Sequence, residues 1–253
     1  MSYIRQTIQF NMITMIGTGH VFRIADSVSF IIKNSWPEAV LVELDEKRYK
    51  ALTDPKIADT SITSSKGVSK IYLKSAKYQD KMSEKNDTQT GGELLAAINT
   101  GKLVEADIIC IDKDAEKVMK ELWEEMSFME RRKYSFSIFT DNILGKKKID
   151  KTQKEFSADE NYYIEEMRKK YPTLVKKLID ERNEYMAKRI REASEKYKSM
   201  IIVVGDAHVE GLCKILNDIP VKKVRLAELL DKESLDKLKS QVWNNRTYTE
   251  ESK

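Results

Sequence analysis

Four short apolar runs stand out of an otherwise polar chain, at residues 8–16 (IQFNMITMI), 39–44 (AVLVEL), 107–112 (DIICID) and 200–205 (MIIVVG). The last three lack clean apolar–polar alternation, which is how strands covered on both faces read. A helical pattern follows each run, at 21–34, 46–53, 113–131 and 209–217. Strand alternating with helix predicts an α/β fold with a mainly parallel central sheet flanked by helices. A weaker fifth strand is predicted at 220–226.

Two stretches interrupt this rhythm. Residues 56–90 break the rhythm with Ser, Thr, Lys, Asp and a Gly around one short apolar patch, IYL, and read as an insertion, either a solvated loop or a lid. From 158 to 198 the pattern is wholly helical, and Pro172 suits the first turn of a new helix after a break at Tyr171. Helices at 159–170 and 172–198 are therefore predicted as a helical insert or arm. In the second helix Leu174, Leu178, Tyr185, Met186, Ile190 and Tyr197 form a stripe, fit either to dock on the sheet or to pair with a second copy as a homodimer. The whole chain, 1–253, reads as one α/β domain carrying the insertion 56–90 and the arm 158–198.

Composition adjusts this picture only slightly. Charged residues make up 34% of the 253 positions, and 9 Gly and 4 Pro are few for this length, so the chain should be helix-rich. A net charge of +4 spread over both signs is not the clustered basic footprint of a nucleic-acid binder. No run approaches the roughly 18 apolar residues of a membrane span, and the N-terminus lacks the order of a signal peptide, so a cytoplasmic protein is expected. Cys110 and Cys213 sit in apolar segments without metal or redox spacing and are expected to be buried thiols.

The candidate chemistry starts from the two histidines, His20 and His208, each three residues after a glycine: Gly17-Thr18-Gly19-His20 and Gly205-Asp206-Ala207-His208. Each motif closes a predicted parallel strand, and ligand crevices of open α/β sheets lie outside the carboxyl ends of the strands. Imidazole there suits metal binding or proton transfer, and the glycines would let the backbone turn sharply before it. Glu43 lies in an apolar run where an ionised carboxylate needs a partner, and Arg48 is a candidate. Asp112 closes the third strand and fits a site role and a helix cap equally well. Glu181 and Arg182, mid-helix, read on their own as a solvated face. The nucleophile elbow GxSxG, the phosphate loop GxxxxGK[ST], HExxH, GxGxxG and zinc-type cysteine spacing are all missing.

Taken together, IGTGHVFRIADSV, WPEAVLVELDEKRYKAL, GGELLAAI, ADIICIDKDAEKVMKELWEEM, LIDERNEYMAKRI and VVGDAHVEGLCKIL resemble the TraB/PrgY pheromone-shutdown family. That family falls in a superfamily that also holds Tiki metalloproteases, erythromycin esterases and ChaN-like proteins. The resemblance covers most of the chain and is weakest over 56–90. It places His20, Glu43, Arg48 and His208 in the site and raises Glu181 and Arg182 to members of it. Gly19 departs from the Ala or Ser of many relatives, and the polar tail QVWNNRTYTEESK lacks the hydrophobic C-terminal region of others.

The resemblance implies a hydrolase, a metal-dependent peptidase as in the Tiki relatives, with His20, Glu43 and His208 holding a divalent ion (Mn, Co or Zn) and a peptide or small molecule as substrate. Arg48 would orient Glu43 or stabilise the oxyanion. Two alternatives stand beside it. One is a metal-independent esterase with histidine as general base, and the other is a non-catalytic protein that sequesters a peptide or a cofactor such as haem.

Overall fold

The computed structural model describes residues 12–19, 24–54, 91–134 and 160–251. The apolar runs form five strands, β1 (Met12–Thr18), β2 (Ala39–Val42), β3 (Asp107–Cys110), β4 (Ser199–Gly205) and β5 (Val221–Val224). They lie in the order β3-β2-β4-β1-β5, every pair parallel. All four residues of β2 and the five from Met200 to Val204 in β4 are buried, which explains their lack of alternation. The edge strand β5 exposes Lys222 and Lys223, charges that discourage pairing with another sheet. Residues 8–11 of the first predicted strand lie outside the described residues, as does the insertion 56–90.

Successive residues of each strand enter opposite cores, as the two-residue period of a strand requires. Ile16, Val40, Val42, Ile201 and Val203 pack with α1 (Ala25–Ser35) on one face. That face is completed by α3 (Gly92–Leu103) and by the C-terminal helices α9 (Leu226–Leu230) and α10 (Lys232–Glu251). Met15, Leu41, Met200, Ile202 and Val204 pack on the other face with Met186 and Ile190 of α7 (Glu181–Lys196) and Val209 and Leu212 of α8 (Asp206–Ile215). β1 leads to α1 and β2 leads through α2 (Glu46–Thr53) towards α3, whereas β4 leads to α8 on the opposite face. β4 lies between β1 and β2, and its connection leaves the sheet on the other face from theirs, the arrangement that places ligand crevices at the strands' carboxyl ends in open α/β sheets.

The helical insert packs against this second face. It runs from α5 (Glu160–Lys170) to α6 (Pro172–Val175), then through a π-helical turn (Lys176–Asp180) directly into α7. Pro172 occupies the first turn after Tyr171, as the sequence predicts. The N-terminus of α6 is capped from a distance: Glu130 Oε1 accepts from the backbone N–H of Thr173 at 3.0 Å and of Leu174 at 3.2 Å. Leu174 and Val175 join Tyr171, Leu122 and Met126 in a smaller core beside α4 (Ala115–Glu125). The predicted stripe docks on the sheet through Met186 and Ile190, but Tyr185 is 39% exposed and Asn183 is buried in its place. The wide π turn accounts for this, because it advances the helix face by one residue relative to an uninterrupted α-helix.

Three helices had no strong sequence signal. In α3 the apolar and small residues are spread round the helix, and Gly101 permits its close approach to the sheet. A Cβ there would lie 2.6 Å from Ile108 Cδ1. The short α9 and the polar α10 are placed by Leu226, Leu229 and Leu238, which reach the first core. Among the described residues no helix is long and apolar enough to cross a membrane.

Candidate functional site

Three strand ends converge on one buried charge cluster. Glu43 follows β2, Asp112 follows β3, and His208 stands in the first turn of α8 after β4. All three are buried. Arg182, in the first turn of α7, reaches across from the second face and ties two of the strand ends together. Its Nη2 pairs with Glu43 Oε1 and donates to Asp112 Oδ2 at 2.7 Å, and its Nε donates to Asp112 Oδ1 at 2.9 Å. The π turn lies immediately before it, and Arg182 Nη1 donates back to the Leu178 carbonyl at 3.0 Å.

Arg48 braces the cluster from α2. Its Nη2 pairs with Asp112 Oδ2 and donates to the Glu43 carbonyl at 3.3 Å, while its Nε donates to Asp45 Oδ2 at 2.9 Å. Asp45 caps α2 by accepting from the N–H groups of Lys47 and Arg48. The sequence pairs Arg48 with the Glu43 carboxylate. The structure gives that carboxylate to Arg182 and leaves Arg48 with Asp112, Asp45 and the Glu43 main chain. Asp112 belongs to this cluster, and the cap of α4 is Asp114, which accepts from Lys117 N at 3.0 Å.

His208 faces Glu43, with Nε2 3.4 Å from Glu43 Oε1. Its Nδ1 lies 2.7 Å from Asn183 Oδ1, a residue the sequence offered no reason to select. Glu43 Oε2 accepts from the Gly205 N–H at 2.6 Å. Burial on its own would raise the Glu43 carboxyl. The facing His208 and Arg182, together with the Gly205 N–H, outweigh it and hold the group well below the usual carboxylate range. Burial likewise disfavours the charge on Arg182, and Glu43 and Asp112 more than restore it, so Arg182 is held cationic.

The motif glycines serve a purpose other than the sharp turn expected of them. Gly205 has φ −56°, which any residue adopts, and among the described glycines only Gly91 has a positive φ. What Gly205 provides is closeness: a Cβ would lie 3.3 Å from Glu43 Oε2. At Gly17 a Cβ would lie 1.9 Å from Asp206 Oδ1. Asp206 is itself held by the Leu226 N–H at 2.9 Å and by Arg225, with Arg225 Nη2 2.8 Å from its Oδ2.

Of the residues selected from sequence, Glu43, Arg48, Arg182 and His208 meet here, and Asp112 with them. His20 lies outside the described residues. Glu181 turns to lysines instead, with Lys177 at 2.9 Å and Lys113 at 3.5 Å. The cysteines are only half-buried; burial, aided by Glu46 and Asp45, pushes the Cys110 thiol up to about 12, far from a reactive thiolate.

A divalent ion would need several donors with open lone pairs. His208 Nε2 and Glu43 Oε1 are two, and Oε1 already carries the Arg182 contact. Both Asp112 oxygens are taken by arginine. Among the described residues no group of three or more His, Cys, Asp and Glu is arranged to hold a metal, whereas a catalytic zinc takes about three protein ligands. The described residues therefore do not make a metal centre by themselves.

The family model described as TraB/PrgY/gumN matches residues 6–222. An uncharacterized protein of Methanocaldococcus jannaschii is 30% identical over 237 residues, covering 89% of this chain. The chain spans about 60% of the length of that relative. No solved structure matches the chain.

Proposed function

The chain belongs to the TraB/PrgY/gumN family, and from that premise we propose that it is a hydrolase that cleaves peptide or ester bonds at the crevice beside β2 and β4. The observation that carries this reading is the His208–Glu43 pair, 3.4 Å apart and buried at the carboxyl ends of two neighbouring parallel strands.

Glu43 stays ionised at neutral pH, so it is not the group that protonates a leaving amine or alkoxide. Its role is electrostatic: it stabilises the imidazolium formed when His208 Nε2 takes a proton from the attacking water. His208 then returns that proton to the leaving group as the tetrahedral intermediate collapses. Arg182 and Asp112 hold Glu43 in place. Arg48 is the more exposed of the two guanidiniums, 33% against 15%, and is the better placed to meet the oxygen that becomes negative in the intermediate.

The test is hydrolysis of a peptide library and a panel of aryl esters. It uses chelator-treated protein and protein reconstituted with Mn, Co or Zn, each compared with His208→Ala and Glu43→Gln. Product formation should fall at least about 100-fold in His208→Ala, the usual scale for losing a proton-transfer group, and should fall as well in Glu43→Gln, which removes the charge that stabilises the imidazolium. Turnover that survives in folded His208→Ala would overturn the reading. A peptide bound stoichiometrically without product would replace it with sequestration. Turnover only in the metal-loaded samples would support the metal-dependent peptidase, with His20, Glu43 and His208 as its ligands.

A further inference from the structure

Lys177 is buried between helices, 5% exposed, and no step of the proposed chemistry uses it. An ammonium is costly to bury unless counter-ions surround it. Here two helices supply them. Lys177 Nζ lies 2.5 Å from Glu125 Oε1 and 3.7 Å from Glu121 Oε2, both on α4, and 2.9 Å from Glu181 Oε1 at the start of α7. Glu125 and Glu181 push its pKa above the ordinary lysine value, so it is cationic at neutral pH.

What this cation grips is the π turn. Lys177 is the second of the five residues Lys176–Asp180, and Glu181 closes the turn: its N–H donates to the Lys176 carbonyl, five residues back rather than the four of an α-helix. The same Glu181 lays its carboxylate on Lys177, so a side-chain pair clasps the turn that the main chain widens. The other end is fixed separately, where Asp180 accepts from Arg168 Nη2 of α5 at 3.0 Å and pairs with Arg168 Nη1. Arg182 follows immediately, and its alignment with Glu43 and Asp112 depends on the extra residue that the turn takes up. We propose that Lys177 is a positioning residue: by clamping the π turn to α4 it sets the helix phase at which Arg182 meets Glu43 and Asp112.

The clamp can be tested without any substrate, by asking whether Arg182 still matters once Lys177 is gone. Arg182→Ala should lower the melting temperature of the otherwise wild-type protein by several degrees, because it strips two buried carboxylates of a counter-ion. In Lys177→Met, which removes the charge and keeps an apolar stem, the same substitution should cost less than half as many degrees, since Arg182 has left the strand ends. Direct repulsion between the two cations would act in the opposite sense and make Arg182 matter more without Lys177. A lysine that merely adds stability would leave the Arg182→Ala shift unchanged. An unchanged or larger shift therefore overturns the inference, as does a crystal structure of Lys177→Met in which Arg182 keeps both carboxylate contacts. Where Lys177→Met fails to fold by circular dichroism, the double variant Glu121→Gln, Glu125→Gln loosens the clamp from the more exposed α4 side and is read in the same way.

The consequence for turnover rests on the hydrolase reading. Where a substrate is turned over, Lys177→Met and Arg182→Ala should lower kcat by similar factors, and the double variant should fall no further than either. A folded Lys177→Met with wild-type kcat would overturn the catalytic part alone. A failed substrate screen leaves the melting result standing and sinks only the hydrolase.

Discussion

Glu43 is ionised in the interior because its neighbours supply what water would, and removing its charge leaves the largely buried Arg182 with Asp112 as its remaining counter-ion. Breaking such a pair from one side costs about 3–5 kcal/mol, so Glu43→Gln should lose stability on that scale in urea titrations at neutral pH. The pH dependence follows from the depressed carboxyl. An unfolded Glu titrates near about 4.3, so the stabilisation is fully present above that pH and is lost as pH falls through the lower folded value. Wild-type stability should therefore fall on acidification below about pH 4, with a shallower fall in Glu43→Gln. Equal slopes in the two proteins would show that Glu43 does not carry the dependence. At the motif glycines, Gly17→Ala has to displace the clamped Asp206 and should destabilise by about 1–3 kcal/mol in thermal unfolding. Gly205→Ala, with 3.3 Å available, should be milder.

Among the elements, the helical insert depends most on residues far away in sequence. Its first turn is capped by Glu130, 43 residues before Thr173. Glu130→Ala should lower thermal stability by about 1–2 kcal/mol, the loss of a good N-cap, and Glu130→Gln, which still accepts, should recover part of it. The π turn explains both a misread stripe and a site. A regular 3.6-residue period carries Leu174 and Leu178 forward to Tyr185, whereas the wide turn puts Arg182 and Asn183 against the charge cluster and leaves Tyr185 outward. A π turn is a local accommodation to packing and carries no periodicity of its own, so residue pattern could not announce it.

At the scale of the molecule, the sheet is the common support for both cores, and the charge cluster sits where helices leave neighbouring strands towards opposite faces. Ile202, fully buried in the central strand β4, should be costly to truncate. Ile202→Ala is expected to lose about 2–5 kcal/mol in denaturant titrations, enough to reveal whether sheet and insert unfold together. A single transition would join them in one cooperative unit, and two would separate the insert from the sheet.

The amino-acid sequence by itself determined the parallel α/β plan, because strands covered on both faces must be continuously apolar and the helices between them must carry one apolar side. It also marked Glu43 and His208 as strand-end chemistry, since a carboxylate in an apolar run and a rare imidazole after a strand stand out locally, and offered Arg48 only as a candidate partner for Glu43. Tertiary structure alone decided their pairing. Arg182 lies 139 residues from Glu43, and Asn183 lies 25 residues from His208, and each contact forms only when α7 docks across the strand ends. Propensity and period describe neighbours along the chain. The partner of a buried charge is chosen by whichever group the packed helices bring within reach, at a separation over which a one-dimensional pattern has no memory.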